Sequence, residues 1–538
     1  MPRIFLKPFL GKVNQVSLRN LVFIVFCTIL FTLAYAQSPL YTSNQNQYFL
    51  HGLAKAGVGY LNHDWLANTL DPTPVFSGLV YLTYRILTWP PIFYIYFAVL
   101  SGIFIFGILS ISTEVFKLQV DPPKRWLLIA ALIAVNSAAL RYLVVHIFDV
   151  DWAYLFDGGV AGQRLLGSVL QPSTFGVLLV LSIALFLRNK YGGAVVCLIL
   201  APTFHPTYLL SAAVLTLVYM GILWAEKKEL RAPLALGLAA LVGVIPIFVH
   251  TLSTFGSTDP YLTDYSRDLL INFRIPHHAI PAEWFDASVV VKLIFVLVAI
   301  VLLRCAKNSA PSQDVIAPKS KLFHLLLWPS LVAISGTVIQ VFTGDRVLAL
   351  LFPWRISTWL VPISVGLVTV WAVNRLWLRV GDRIPGRLVV ILSVCLSIVL
   401  AGMGFSKSVL EYREKLSSTD RLMMAYVEEH KSPGDVYTIP LDMQDFRLIT
   451  GAPVYVEFKS IPYLDVDLKE WFRRVSLEGE LYQAPYVRAA CGAIERLHAE
   501  GVTHVVLPYD HTGAGCENLR LVFQDFEKYE VYLVLETK

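Results

Sequence analysis

Residues 18–36 read LRNLVFIVFCTILFTLAYA, and the polar, aromatic stretch that follows begins QSPLYTSNQNQYFL and runs from residue 37 to residue 90 before the next apolar run. The first segment is long and apolar enough to cross a hydrocarbon core, which takes about 20 such residues per helix. A long loop placed directly after a first span points to a site built at one membrane face.

Working outward, apolar runs of this kind recur at about 18–36, 91–113, 126–148, 171–187, 193–206, 207–225, 232–251, 288–304, 322–342, 355–374 and 388–406. They predict an α-helical polytopic membrane protein with about eleven transmembrane helices. Composition agrees, since the 538 residues are 56% hydrophobic and 15% charged, with a mean hydropathy of +0.60. No common class of soluble domain is so apolar. The net charge of +5 does not indicate nucleic acid, because in such a chain the placement of Lys and Arg carries the information.

That placement is one-sided. Arg3, Lys7, Lys12 and Arg19 precede the first span, and Lys124, Arg125, Arg188, Lys190, Lys227, Lys228, Arg304, Lys307, Arg375 and Arg387 fall in alternate loops. The positive-inside rule then puts the N-terminus in the cytoplasm and the tail outside. Ala34-Tyr35-Ala36 has the small-x-small form of a signal-peptidase site, but the apolar run is long for a signal peptide and favours an uncleaved anchor.

The expected domains are a transmembrane unit over residues 1–406, containing the long outer loop 37–90, and a soluble extracytoplasmic α/β unit over 407–538. In the tail, strands at 435–440, 453–458, 503–507 and 530–536 alternate with helices at 466–476 and 486–500, with Gly501 as a helix C-cap. No Gly-rich phosphate loop is present. Cys491 and Cys516 share this tail and can pair if it lies outside the cytoplasm.

Four sets of polar residues are candidates for chemistry. Asp64 and Asp71 in the first outer loop suit a general base or metal ligand, with N-capping and turn formation as the competing use. Asp149 and Asp151 stand two apart, a spacing that lets two carboxylates share a divalent cation or divide acid and base roles. His205 and the pair His277-His278 are each candidates for one ligand or acid-base role, against hydrogen-bonded packing. Arginines predicted on the outer side, among them Arg164, Arg267, Arg274, Arg346 and Arg355, run against the positive-inside trend. Arg355, in Pro353-Trp354-Arg355, is best placed to grip a phosphate at headgroup depth; snorkelling is its alternative.

A first span, a long outer loop with surface helices, further spans and an outward C-terminal unit together resemble the GT-C class of integral-membrane glycosyltransferases. The chain is also similar to a group of bacterial polytopic membrane proteins through His63-Asp64-Trp65-Leu66, Pro353-Trp354-Arg355 and the run from Phe446-Arg447-Leu448 to Phe458-Lys459. The GT-C resemblance implies a polyprenyl-phosphate sugar donor, the lipid bilayer as partner, and cell-envelope glycan assembly at a bacterial inner membrane. It also implies an acidic base early in the first outer loop. This chain has amides there, Asn44-Gln45-Asn46-Gln47, so Asp64 is expected to take that role. The resemblance makes Asp149 and Asp151 a second acidic motif, while Arg355 and Arg346 would neutralise the leaving phosphate, with His277 or His278 assisting. Asp71 and His205 complete the expected binding set, and no cofactor is required beyond an optional divalent cation. Two other classes stay open: a catalytically inactive assembly or binding subunit, which the amides favour, and a transporter or flippase of lipid-linked solutes.

Overall fold

A computed structural model of the chain describes residues 18–118, 120–149, 152–305, 317–525 and 528–536. All eleven expected segments are helical. Eight helices among the described residues are long and apolar enough to cross a membrane: α1 (Leu18–Tyr35), α2 (Ile92–Phe116), α3 (Pro206–Lys227), α4 (Arg231–Thr254), α5 (Ala287–Cys305), α6 (Pro318–Thr343), α7 (Arg346–Val380) and α8 (Gly386–Leu416). A bent pair, Pro122–Val135 and Ala138–Phe148, meets at 48° and would make a ninth, and the shorter apolar helices Pro172–Leu187 and Tyr191–Phe204 complete the set. The bend falls at Asn136-Ser137, where the Ser137 hydroxyl caps the second helix by accepting from the Leu140 N–H at 3.1 Å. The chain is a multi-pass membrane protein.

Helix α7 is the axial helix. Its side chains from Ser357 to Leu367 are buried, including a fully buried Trp359. It packs on α5, α2 and the helix Pro122–Val135, while α1 lies between α2 and α8. The outward faces of α1, α4 and α8 carry exposed Leu, Ile and Val, as lipid contact requires.

Loop 37–90 is not a free excursion. Its helices Leu50–Ala56 and Pro74–Leu82 bury Phe49, Leu50, Leu53, Phe76 and Val80 against the bundle, where Phe49 meets Phe93 at 4.8 Å. At its tip Gly59 has a φ of +53° and touches the Gly451 backbone, so a side chain there would collide with the C-terminal unit.

That unit is built on a four-stranded sheet of β1 (Tyr437–Thr438), β2 (His504–Pro508), β3 (Leu519–Gln524) and β4 (Tyr529–Val534) in the order β1-β2-β4-β3. The β1 and β2 strands are parallel and the other pairs antiparallel. Period-two alternation splits its side chains: Val505 and Leu507 face the helices Asp465–Tyr482 and Val487–Ala499, while Val506 and Val531 face Met423, Met424 and Val427 of the helix Arg421–His430. Cys491 and Cys516 form a disulfide. Gly501 ends its helix at a φ of +94°, as its C-cap reading requires. The expected strand at 453–458 reduces to a single bridge between Tyr437 and Val454, and the Ile439 N–H that would carry the ladder onward donates to Glu478 instead. Strand β3, of mixed polarity and without strict alternation, was not expected.

Candidate functional site

Where loop 37–90, the loops around residues 160 and 275, the start of α7 and the segment 459–463 meet, they enclose a cavity of 510 Å³. Its position follows from the local backbone. Phe352 adopts a left-handed φ of +50°, which turns the chain sharply before the Pro353–Ile356 turn and aims Arg355 inward. The Trp354 indole N–H donates to the His278 carbonyl at 3.0 Å, fixing this corner to the facing loop.

Arg355 donates through Nε to Gln163 Oε1 at 2.5 Å, and its Nη1 is buried with no hydrogen-bond partner among the described residues. Arg274, at the end of the helical turn Leu269–Arg274, donates through Nη2 to the Lys459 carbonyl at 2.6 Å and leaves its Nε in the same state. Arg164 and Lys459 also line the cavity. Burial pushes the Lys459 ammonium below its usual range and the neighbouring Arg274 adds to this; burial likewise lowers Arg274. Three arginines and a lysine thus face one chamber, and no Asp or Glu is among the described residues lining it. Cations held together without acids favour an anionic occupant, since a charge-assisted hydrogen bond is worth about twice a neutral one.

The histidines add neutral polarity. His278 Nδ1 lies 2.6 Å from the Ala161 carbonyl, which assigns the proton to Nδ1 and leaves Nε2 with a lone pair. Burial, helped by adjacent His277, pushes His278 down to about 3, so the ring is uncharged near neutrality. His205 lines the same cavity, in ring contact with Tyr48 and Tyr208, and its Nδ1 is also buried without a partner among the described residues.

Residues 419–477 match a domain of unknown function, DUF6798. This segment supplies Lys459 and Tyr463 of the cavity wall. No curated protein matches the chain. Among solved structures it is similar to the crystal structure of ArnT from Cupriavidus metallidurans bound to undecaprenyl phosphate, at 13% identity and a TM-score of 0.45, over 95% of this chain and 97% of that one.

Of the expected site residues, the cavity gathers Arg355, His205, His277 and His278. The remaining acids lie elsewhere. Asp64 is fully buried between loop and C-terminal unit, accepting from Leu66 N at 2.9 Å, Ala67 N at 3.3 Å, Val454 N at 3.0 Å and Arg447 Nε at 2.8 Å. Those bonds commit both of its oxygens to holding two segments together, and it does not line the cavity. Asp71 caps the Thr73 N–H at 2.9 Å and faces Lys55 at 3.8 Å. Asp149 is exposed just after the helix Ala138–Phe148, and Asp151 lies outside the described residues. Arg346 sits outside the cavity and is half exposed, paired with Asp268 at 3.2 Å. Among the described residues no three His, Cys, Asp or Glu side chains converge as a metal would need.

This geometry explains two of the four amides, Gln45 and Gln47. Gln47 Oε1 accepts from the Ile461 N–H at 2.6 Å while its Nε2 donates to the Ile461 carbonyl at 2.9 Å. Gln45 likewise accepts from Tyr41 N at 2.8 Å and donates to Leu170 O at 3.1 Å. Each position needs a donor and an acceptor on one side chain, which an ionised carboxylate cannot provide. Sequence reading missed Gln163 and Lys459. Lys459 reaches the cavity only through tertiary contact with a loop 185 residues away, as its carbonyl bond to Arg274 records, and no local pattern marks it.

Proposed function

We propose that this chain is a glycosyltransferase that uses a polyprenyl-phosphate-linked sugar at the outer face of a bacterial inner membrane, in cell-envelope glycan assembly. The observation that supports this reading is the acid-free cavity in which Arg355 Nη1 and Arg274 Nε are buried without partners among the described residues. In this reading the cavity lies on the outer side, as the distribution of Lys and Arg between loops implies, with the N-terminus cytoplasmic and the C-terminal unit outside.

In the proposed reaction an acceptor hydroxyl oxygen forms a bond to the sugar's anomeric carbon as the bond from that carbon to the phosphate oxygen breaks. Negative charge builds on the departing phosphate, where preplaced buried guanidinium donors act most strongly. The hydroxyl proton goes to His278 Nε2, the acceptor that the Ala161 bond leaves open. Burial is the main cause of the ring's neutrality; Arg355 and Lys459 add to it, and the phosphodiester charge of a bound donor offsets that part and raises the ring's basicity. Polyprenyl phosphate leaves.

A second reading, a binding or assembly subunit for the same class of lipid, is favoured by one observation: the described lining holds no carboxylate base. Purified protein supplied with a panel of polyprenyl-phosphate sugars, followed by mass spectrometry, separates the two. Release of free polyprenyl phosphate supports transfer, and tight binding without release supports the subunit.

A further inference from the structure

A second and larger space lies between α1, α2 and the helix Pro172–Leu187, a groove of 1250 Å³ open along one side. It exceeds the roughly 300–1,000 Å³ of pockets for drug-sized ligands, so a small metabolite would leave it mostly empty. Its walls are apolar through the middle, with Ile24, Ile29, Ala98, Val99 and Phe106 among them. From Tyr94 near one mouth to Glu114 near the other it follows α2 for about 30 Å, the depth of a bilayer's hydrocarbon core.

The end remote from the cationic cavity is polar and has a net positive charge. Arg125 and Arg188 face the groove there with Glu114, which pairs with Arg188 at 3.8 Å. Arg125 stacks its guanidinium 4.2 Å from the Phe23 ring, and its Nε is buried with no hydrogen-bond partner among the described residues. A buried guanidinium nitrogen without an acceptor is costly, and an anionic group from outside the chain would satisfy it.

We propose that this groove is a binding site for an anionic glycerophospholipid, whose phosphate is held by Arg125 and Arg188 and whose acyl chain lies between α1 and α2. The apolar wall suits the chain, and the surplus positive charge selects an anionic over a zwitterionic headgroup. The site shares no residue with the cavity, and its occupancy does not depend on glycosyl transfer.

The test is native mass spectrometry of the full-length protein released from nanodiscs of phosphatidylcholine and phosphatidylglycerol in equal amounts. The wild type should retain phosphatidylglycerol in preference to phosphatidylcholine. Arg125→Gln should lower that preference roughly tenfold, the loss of one charge-assisted hydrogen bond, and Arg125→Lys should keep most of it. Ala98→Trp, which fills the groove, should abolish retention of both lipids while the protein still elutes as a folded species. Equal retention of the two lipids by the wild type, or an Arg125→Gln protein with the wild-type preference, overturns the proposal.

Discussion

Arg447 donates to Asp64 at 2.8 Å with both side chains buried, joining the first long loop to a unit 383 residues further along the chain. The same aspartate accepts three backbone N–H groups, and Arg447 also meets Glu457 at 3.5 Å. Breaking one side of a buried, hydrogen-bonded pair costs about 3–5 kcal/mol, because the other charge stays behind. Asp64→Asn is therefore expected to lower the melting temperature sharply and to reduce the yield of folded protein. Fluorescence-detected size exclusion after heating measures it; a mutant that melts like wild type but is inactive would restore Asp64 as a catalytic base.

Gln47 sets a second prediction. Gln47→Glu places a carboxylate oxygen against the Ile461 carbonyl where an amide donates now, and should destabilise by about 1–3 kcal/mol near neutral pH. A protonated Glu regains a donor, so the deficit should shrink as pH falls into the carboxylate range. Melting curves of both proteins from about pH 4 to about pH 8, a range that includes the ordinary Glu value of about 4.3, check this.

Arg355 governs anion affinity in this account. Arg355→Ala should weaken binding of a polyprenyl phosphate by roughly 10–100-fold, the worth of about 1.5–3 kcal/mol for charged hydrogen bonds. Arg355→Lys should fall between, since an ammonium cannot donate in the planar fork that the Gln163 contact sets. Titration of detergent-solubilised protein with the lipid phosphate, by microscale thermophoresis, reads both.

Glu478 predicts a pH dependence of stability. It is fully buried in the C-terminal unit, accepting from Ile439 N at 2.9 Å and from the Thr438 hydroxyl, and burial raises its carboxyl from 4.5 to about 8. The folded value lies above the unfolded one, so the folded state holds the proton more tightly between them. Its contribution is complete below about pH 4.5 and is lost as pH rises through 8. Glu478→Gln should accordingly melt with less loss between those limits than wild type, as differential scanning fluorimetry would record.

The membrane architecture was legible because each span advertises itself by length and apolarity, properties local to the segment. Even the weak fifth run, split from the sixth only by His205-Pro206, proved to be a separate helix, Tyr191–Phe204. Arg355 and the histidines could be picked out because charge and imidazole beside apolar spans are unusual. The surroundings of Asp64 were not legible for a physical reason. Asp64 sits in a polar loop, where its sequence neighbours give no sign that Arg447 and the Val454 N–H will occupy its oxygens. Gln163, and Lys459 beyond its place in the quoted run, gave no sign of the cavity for the converse reason, since their place in its wall comes only from what lies opposite them in the fold.

The most direct test of the central claim compares release of polyprenyl phosphate from polyprenyl-phosphate sugars by wild-type, Arg355→Ala and His278→Gln proteins of equal folded content, read by mass spectrometry. The account predicts release by the wild type for at least one donor and loss of that release in both variants. Undiminished release by either variant, or none by the wild type from any donor that it binds, would contradict it.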